Sequence, residues 1–294
     1  MVQLQTHRVR GLDSWQIKVI AVVFMTIDHL GAYGFEIPIF ETYNTELRLL
    51  GRIAMPLFMF VLTEGLRYTR SRRKYLLRLY LGAVFSGLFV TITNFLFHDS
   101  IGMFINSNIF FTYFYIALYV FLIEQIMDGF HEKSGKRIAL GALGIAATCI
   151  PHILLVMLDR INIMDYGASL YVAFAFQDFV TSLIASPIHV EYTILFVLMG
   201  VVMYFAKDKY KKAAVLFAFS IFCYLGGKIQ AIHTSSLGFV VGFPQYYMIL
   251  AVPFILLYNG EKGKGSKFFF YAYYPLHRYA ISIAVYLYQL LCGV

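Results

Sequence analysis

Long apolar runs recur along most of the chain, and short polar segments separate them. Nine of these runs approach the roughly 20 residues that a helix needs to cross about 30 Å of hydrocarbon. They are Trp15–Gly34, Leu47–Tyr68, Tyr75–Phe97, Asn108–Met127, Ile138–Leu158, Glu191–Ala206, Ala213–Ile232, Gly242–Tyr258 and Phe268–Leu291. The runs are continuous and lack the period-two alternation of a membrane β-strand. The pattern therefore predicts an all-α, polytopic bundle of transmembrane helices.

A tenth stretch, Tyr166–Ser186, is apolar but carries Gln177 and Asp178. The basic residues indicate how to count it, because Lys and Arg concentrate in cytoplasmic loops. Eighteen of the 24 basic residues fall in five short clusters, at 8–10, 67–78, 133–137, 207–212 and 262–267. All five clusters lie on the cytoplasmic side if the region 159–189 makes no net crossing. We therefore expect nine net spans (nine or ten elements in all), a cytoplasmic N-terminus, and a re-entrant or hairpin-like element over 166–186.

Composition narrows the class of protein further. Among 294 residues, 60% are hydrophobic and 14% are charged, whereas soluble proteins carry about 25% charged residues. These fractions exclude a soluble enzyme, a disordered protein and a protein with a single membrane anchor. The net charge of +8 is interpreted as an orientation signal in the lipid bilayer, and no nucleic-acid partner is expected. We expect one integral membrane domain over residues 1–294, with 1–13 as a cytoplasmic segment.

A few charged residues lie inside the predicted spans, where a charge costs roughly 2.5–3.5 kcal/mol at the bilayer centre. Asp28 and His29 follow a long apolar run, and His277 and Arg278 lie about 14 Å into the last span. Snorkelling towards the membrane surface does not explain residues at this depth. Such residues usually face the interior of the bundle or a water-filled cavity.

The first span places a basic residue and a histidine on one face. Lys18 and His29 are eleven residues apart, which is about 1,100° of helical rotation and roughly 16 Å along the axis. Lys18 lies at the inner end, and His29, the side chain best suited to proton transfer near neutral pH, lies deeper. Asp28 points about 100° away from His29, so we expect it to pair with another helix.

The second span carries further charges. Arg52 and Arg70 are eighteen residues apart and share a face of a continuous helix, with Glu64 and Arg67 on the same half. Arg67 and Arg70, one turn apart at the cytoplasmic mouth, make a suitable clamp for phosphate groups. Four more basic residues follow, so the pair is explained about equally well as a marker of the cytoplasmic side. Arg48 is interpreted as a snorkelling residue, and Glu64 as a partner for a cation within the bundle.

The last span adds Tyr274, His277 and Arg278, and Pro275 frees a backbone carbonyl that can line a cavity. His277 is explained equally well as a packed histidine that bonds across helices. Asn108 begins a polar stripe on the fourth span. Together the intramembrane residues predict a cationic, polar cavity whose inner mouth suits an anionic ligand that bears phosphate groups.

Several blocks of the sequence resemble the TraX family of bacterial membrane proteins, named for the conjugal pilin acetylase. The blocks are LDSWQIKVIAVVFMTIDHLGA (12–32), LRLLGRIAMPLFMFVLTEGLRYTRSRRKYLLRL (47–79), NIFFTYFYIAL (108–118), LYNGEKG (257–263) and FFYAYYPLHRYAI (269–281). The family is similar in turn to the larger acyltransferase 3-like group of transmembrane acyltransferases. That group carries a basic residue, ten others and then His on its first span, and an Arg-x-x-Arg motif near the cytoplasmic face. Lys18-x10-His29 and Arg67-x-x-Arg70 fit this pattern, with Lys in place of the usual Arg.

The resemblance implies an enzyme of the bacterial cytoplasmic membrane that needs no metal. Acetyl-CoA would enter from the cytoplasm and donate its acetyl group to an amine or hydroxyl acceptor, such as a pilin-like N-terminus or an envelope glycan. The implied catalytic residues are Asp28 and His29, with His29 as the base. Lys18, Arg52, Arg67 and Arg70 are expected to bind CoA, and Glu64, Tyr274, His277, Arg278 and Asn108 to support the site. Arg52, Lys18 or Tyr274 is expected to stabilise the oxyanion.

Two other classes of function fit part of the pattern. A transporter or flippase for an anionic metabolite or a lipid-linked sugar uses the same intramembrane charges, but it needs two access states and no base. A structural scaffold explains the hydrophobicity and leaves the buried Asp28 and His29 unexplained. We expect the acyltransferase, and stabilisation of the purified protein by CoA distinguishes it from a scaffold and from most transporters.

Overall fold

The computed structural model describes residues 11–34, 37–101, 108–159, 170–188, 190–227 and 245–292. Within these ranges the regular structure is helical, apart from an isolated bridge between Leu12 and Tyr258. The helices are α1 (Ser14–Tyr33), α2 (Pro38–Thr42), α3 (Asn44–Gly51), α4 (Ala54–Arg67), α5 (Arg72–Ile101), α6 (Ile109–His131), α7 (Gly135–Ala147), α8 (Cys149–Asp159), α9 (Leu170–Leu183), α10 (Thr193–Phe205), α11 (Lys209–Gly226), α12 (Val252–Leu256) and α13 (Lys267–Cys292), and a 3₁₀ helix, Gln245–Ala251, precedes α12. The expected all-α polytopic bundle is confirmed.

Five helical segments among the described residues are long and apolar enough to cross a membrane. They are Ser14–Tyr33, Asn44–Arg67, Arg72–Phe95, Ile109–His131 and Gly135–Leu158. These segments coincide with the first five predicted spans within a few residues. Parts of the predicted spans 213–232 and 242–258, and of the element at 166–186, lie outside the described residues. The total of nine net spans and the re-entrant element therefore stay predictions.

The start of α1 is fixed by its own cap and by the segment before α13. Asp13 Oδ1 accepts a hydrogen bond of 2.8 Å from Gln16 N, and Gln16 Oε1 accepts one of 2.9 Å from Asp13 N, which makes a capping box. Leu12 N donates to Leu257 O at 2.8 Å, and Asn259 N donates to Leu12 O at 2.9 Å. The entry to the first helix is thus joined to the connection that leads into the last one.

The second predicted span is interrupted at Arg52 and Ile53, between α3 and α4. Arg52 N donates to Leu49 O and Ile53 N to Leu50 O, each at 3.2 Å, so the turn tightens to i→i−3 bonding there. The prediction that Arg52 and Arg70 share one face of a continuous helix is therefore wrong. Helical hydrogen bonding is interrupted at Arg52, and α4 ends at Arg67, three residues before Arg70.

The core of the described bundle surrounds α4, which is buried on most of its circumference, from Ala54 to Leu66. Apolar side chains of α1, α6, α10, the 3₁₀ helix and α12 pack against it, and the same cluster extends to α5 and α11. By contrast, α7 buries Gly141 against α6 and directs most of its side chains outward. An outward apolar face is expected for a helix in contact with lipid. The described part of the element at 166–186 is α9, which packs on α5 through Gly87 and Ser182.

Candidate active site

An ion cluster joins the outer half of α1 to the break between α3 and α4. Asp28 Oδ2 accepts a bond of 2.7 Å from Arg48 Nη1, and Asp28 Oδ1 accepts one from Arg52 Nη2. The expectation that Asp28 pairs with another helix is confirmed. The interpretation of Arg48 as a snorkelling residue is wrong, because its guanidinium is held by the buried carboxylate. One acidic and two basic groups leave this cluster with a formal charge of +1.

The close approach of α1 and α3 at this cluster depends on a glycine. A Cβ on Gly51 would overlap the Cβ, Cγ and Oδ1 atoms of Asp28. The absence of a side chain therefore lets the carboxylate reach both guanidinium groups. Arg52 follows Arg48 by four residues, so the two guanidinium groups lie on the same side of the segment and reach the same carboxylate.

His29 lies one residue further along α1 and pairs with His277 of α13. His29 Nδ1 and His277 Nε2 are hydrogen-bonded, and the two rings meet edge to edge with centroids 4.7 Å apart and an angle of 25° between their planes. Both residues are buried, with 8% and 5% of their surface exposed. His277 is therefore bonded across helices, and its partner is the histidine that the sequence identifies as the candidate base.

Beside the two histidines, α13 forms a second buried network. Arg278 is 0% exposed, and its Nη2 donates to Tyr274 Oη at 3.1 Å. Tyr274 Oη also accepts from Ile109 N at 3.1 Å and donates to Glu191 Oε2 at 2.9 Å. A phenol has one proton to donate, so the proton of Tyr274 is engaged by Glu191. In this arrangement Tyr274 has no proton to offer an oxyanion.

Glu191 is a residue that the sequence reasoning missed. It stands at the start of the predicted span Glu191–Ala206, where it was counted as the edge of the span and no role was assigned to it. A carboxylate directly before an apolar run was the available signal, because a buried Arg278 requires an anion nearby. The helix itself begins at Thr193, so Glu191 lies in the turn that precedes it.

Two cavities adjoin these residues. The larger, about 520 Å³, is a groove between α1 and α13 that is lined mostly by apolar side chains, with Thr26, Tyr273 and His277 as its polar residues. The predicted cationic cavity is thus not this groove, since the basic groups lie in the bundle beside it. The smaller, about 140 Å³, is polar and is bordered by Asn108, Asp178 and Glu191. Asn108 Nδ2 donates to Ala83 O at 2.8 Å, and its Oδ1 is buried without a hydrogen bond in the described residues.

The basic residues of the predicted cytoplasmic side are arranged differently from the expected clamp. Arg67 is the last residue of α4, and its guanidinium donates to Lys207 O at 2.6 Å, to Tyr204 O at 2.7 Å and to Ala206 O. These carbonyls belong to the end of α10 and the loop after it, where helical bonding leaves acceptors free. Arg70 is exposed, lies beyond the end of α4, and makes no side-chain hydrogen bond or ion pair within the described ranges. The two arginines are therefore not on successive turns of one helix, and their binding of CoA stays a prediction.

Glu64 was expected to pair with a cation in the bundle, and that cation is Lys212. Lys212 Nζ donates to Glu64 Oε1 and, at 2.9 Å, to Thr63 Oγ1, and Lys212 is 0% exposed. The expectation that Glu64 holds a cation inside the bundle is confirmed. Lys212 itself was assigned to a cytoplasmic loop cluster, and its burial was not predicted, because α11 begins at Lys209 and turns this side chain inward.

Some of the predicted site residues lie close together in the structure, and others do not. The group that meets between α1, α3 and α13 comprises Asp28, His29, Arg52, Tyr274, His277 and Arg278, together with Arg48 and Glu191. Lys18 lies on the same continuous helix as His29, as predicted, with its Nζ 5.4 Å from the centre of the Phe270 ring. Glu64 and Arg67 bond elsewhere, to Lys212 and to the end of α10, Arg70 is exposed, and Asn108 borders the polar cavity that Glu191 also lines.

Comparison with known proteins identifies a family model that matches most of the chain and a relative that matches part of it. The family model described as "TraX protein" matches residues 14–285. A probable fimbrial assembly protein, FimC of serogroup H1 from Dichelobacter nodosus, is 35% identical over 79 residues, which cover 24% of this chain and 29% of that protein. The match thus spans less than a third of the relative's length. No solved structure matches the chain.

Proposed function

The chain belongs to the TraX family, and from that membership we propose that it is an acyltransferase of the bacterial cytoplasmic membrane. It would move an acetyl group from cytoplasmic acetyl-CoA to an amine or hydroxyl acceptor. The observation that carries the proposal is a histidine pair buried between the first and last helices of the bundle, His29 with His277. Beside the pair, Arg48 and Arg52 bond to Asp28, the residue that precedes His29, and Arg278 follows His277.

The proposed step is direct transfer with His29 as general base. His29 takes the proton from the acceptor nitrogen or oxygen as that atom bonds to the carbonyl carbon of the thioester. The carbon–sulfur bond then breaks, and His29 returns the proton to the CoA thiolate. The negative charge that develops on the carbonyl oxygen is stabilised by the nearby guanidinium groups, of which we propose Arg52 as the main one. Tyr274 takes no part as a donor, because Glu191 engages its proton.

The donor would approach from the side on which the basic clusters concentrate. Arg70 is exposed at the end of the α4 segment and is available for a CoA phosphate, whereas Arg67 serves chiefly to hold the end of α10. Lys18 lies between that side and His29, roughly 16 Å from His29 along α1. The proposed path of the pantetheine arm thus runs along the inner half of α1.

The similarity to a probable fimbrial assembly protein favours one acceptor. Fimbriae are built from pilin-type subunits, so a pilin-like N-terminus is preferred over an envelope glycan. The preference rests on a match to 24% of this chain. An experiment must therefore include both acceptors.

Inverted membrane vesicles that contain the protein and the native envelope provide the test. Labelled acetyl-CoA is supplied to the cytoplasmic face, and the label is measured in the protein and glycan fractions. We expect His29→Ala to lower incorporation by about 10²–10⁴-fold. His131→Ala is the control, because His131 lies exposed in the last turn of α6, away from the site, and we expect it to leave transfer unchanged.

Transfer that survives in His29→Ala refutes the assignment of the base. Transmembrane movement of an anionic solute in the same vesicles, without any acetyl transfer by the unmodified protein, refutes the acyltransferase and supports a transporter. A shift of the thermal unfolding midpoint on addition of CoA, lost in Arg70→Ala, supports the proposed donor site.

A further inference from the structure

The carbonyl oxygen of Tyr273, the ring of His277 and the ring of His29 are hydrogen-bonded in that order, and this order determines where the protons of the histidine pair lie. His277 Nδ1 is 2.8 Å from the carbonyl oxygen of Tyr273. A carbonyl oxygen only accepts, so His277 Nδ1 carries a proton, and in a neutral ring His277 Nε2 is then an acceptor. The proton positions are inferred in this way from the hydrogen-bonding network. His29 Nδ1, which faces His277 Nε2, must donate.

The neutral form of His277 fits its surroundings. His277 borders the apolar groove between α1 and α13, and in the described part of the chain no carboxylate is hydrogen-bonded to it. Asp28, which precedes His29 in α1, is paired with the guanidinium groups of Arg48 and Arg52. A charge on His277 would therefore be buried without a partner.

Packing holds His277 in this orientation. The ring of Tyr273 stacks on it, with centroids 5.1 Å apart and 5° between the planes. Tyr273 is in turn bonded to α1, since its Oη lies 2.7 Å from Thr26 Oγ1. The carbonyl and the ring of one residue thus fix both the proton and the plane of His277.

We propose that His277 is a positioning residue that keeps His29 in the tautomer with its proton on Nδ1, so that His29 Nε2 presents a lone pair to the acceptor. The inference rests on the proposed function for its chemical consequence. When His29 Nε2 takes the acceptor's proton, the imidazolium keeps its Nδ1–H bond to neutral His277. When the carbon–sulfur bond breaks, the proton on Nε2 goes to the CoA thiolate. His277 neither gains nor loses a proton in the cycle.

Kinetics separate this role from simple packing. His277→Phe keeps an aromatic ring beside Tyr273 and removes both nitrogens, whereas His277→Gln keeps an acceptor oxygen near the position of Nε2. We expect His277→Phe to lower kcat by about 10²–10⁴-fold, as other losses of tautomer control do, with the KM for acetyl-CoA changed by less than about twofold. We expect His277→Gln to recover at least about tenfold of that loss.

The matched control is His152→Phe, the same substitution in α8, for which we expect a kcat within about twofold of the unmodified protein. A kcat of His277→Phe within about threefold of the unmodified protein overturns the proposal. So does a Gln variant no more active than the Phe variant, provided that both unfold at the temperature of the unmodified protein.

The second measurement needs no catalysis. ¹⁵N NMR of histidine-labelled protein in detergent, with His29 assigned from the loss of its signals in His29→Asn, reports which ring nitrogen carries the proton. We expect the proton on Nδ1 of His29, and a redistribution towards Nε2 in His277→Phe. A proton on Nε2 of His29 in the unmodified protein overturns the inference even if acetyl transfer is observed. The expected tautomer without any acetyl transfer instead refutes the proposed function alone.

Discussion

Gly51 offers a direct test of the contact between α1 and α3. In Gly51→Ala the new Cβ overlaps Asp28, so either the helices separate or the carboxylate leaves Arg52. Overpacking of this kind costs about 1–3 kcal/mol, and breaking a buried ion pair costs about 3–5 kcal/mol. The better helical propensity of Ala returns up to about 1 kcal/mol. We expect a net loss of about 2 kcal/mol or more.

The matched control is Gly65→Ala in α4, where the nearest atom to the new Cβ is Tyr75 Oη at 3.8 Å, an ordinary contact. This variant gains the helical propensity without the overlap, so we expect equal or higher stability. The assay is the midpoint of thermal unfolding in detergent, for which about 2 kcal/mol corresponds to a decrease of roughly 4–8 °C in a chain of this size. A Gly51→Ala midpoint equal to that of the unmodified protein, or an equal decrease in Gly65→Ala, contradicts the described approach of α1 and α3.

Arg67, Arg70 and Lys212 give two further tests. Arg67→Ala removes the donor to three carbonyls at the end of α10, so we expect a lower unfolding midpoint, whereas exposed Arg70→Ala leaves the midpoint unchanged and raises the KM for acetyl-CoA. Equal midpoints for the two variants would contradict the structural role of Arg67. Lys212→Met leaves Glu64 as a buried, unpaired carboxylate and is expected to cost about 3–5 kcal/mol, most of which the double variant with Glu64→Leu recovers. A double variant no more stable than the single one, measured by thermal unfolding, would refute the pairing.

Periodicity and hydropathy predict most of the helices, because both patterns can be read within one helix without knowledge of its neighbours. The continuous face of Lys18 and His29 was correct, since α1 has no break. The same reasoning failed for Arg52 and Arg70, because a helical wheel assumes a helix without interruption. The sequence does mark the break between α3 and α4, because Pro56 lacks the amide hydrogen that would bond to Arg52 O four residues earlier, and a helical wheel takes no account of that lost bond.

The candidate site is less accessible from the sequence, because its contacts join distant helices. Burial cost identifies Asp28, His29 and Arg278 as residues that need partners. It does not identify which partner each one has. Arg48 was close in sequence to its partner and was still assigned to the membrane surface, and Glu191 was taken as the edge of a span. Lys212 was placed in solvent, since a sequence pattern does not show which way the first turn of α11 faces.

The sequence separation of the contacts of α1 has a consequence for biosynthesis. Asp28 meets Arg48 and Arg52 after 20 and 24 further residues, so its charge is neutralised while only the first hairpin has been made. His29 waits for a partner 248 residues later, on the last helix. A chain that ends before α13 therefore lacks the histidine pair. If the proposed function holds, we expect such a chain to transfer no acetyl group and a separately expressed α13 to restore the transfer.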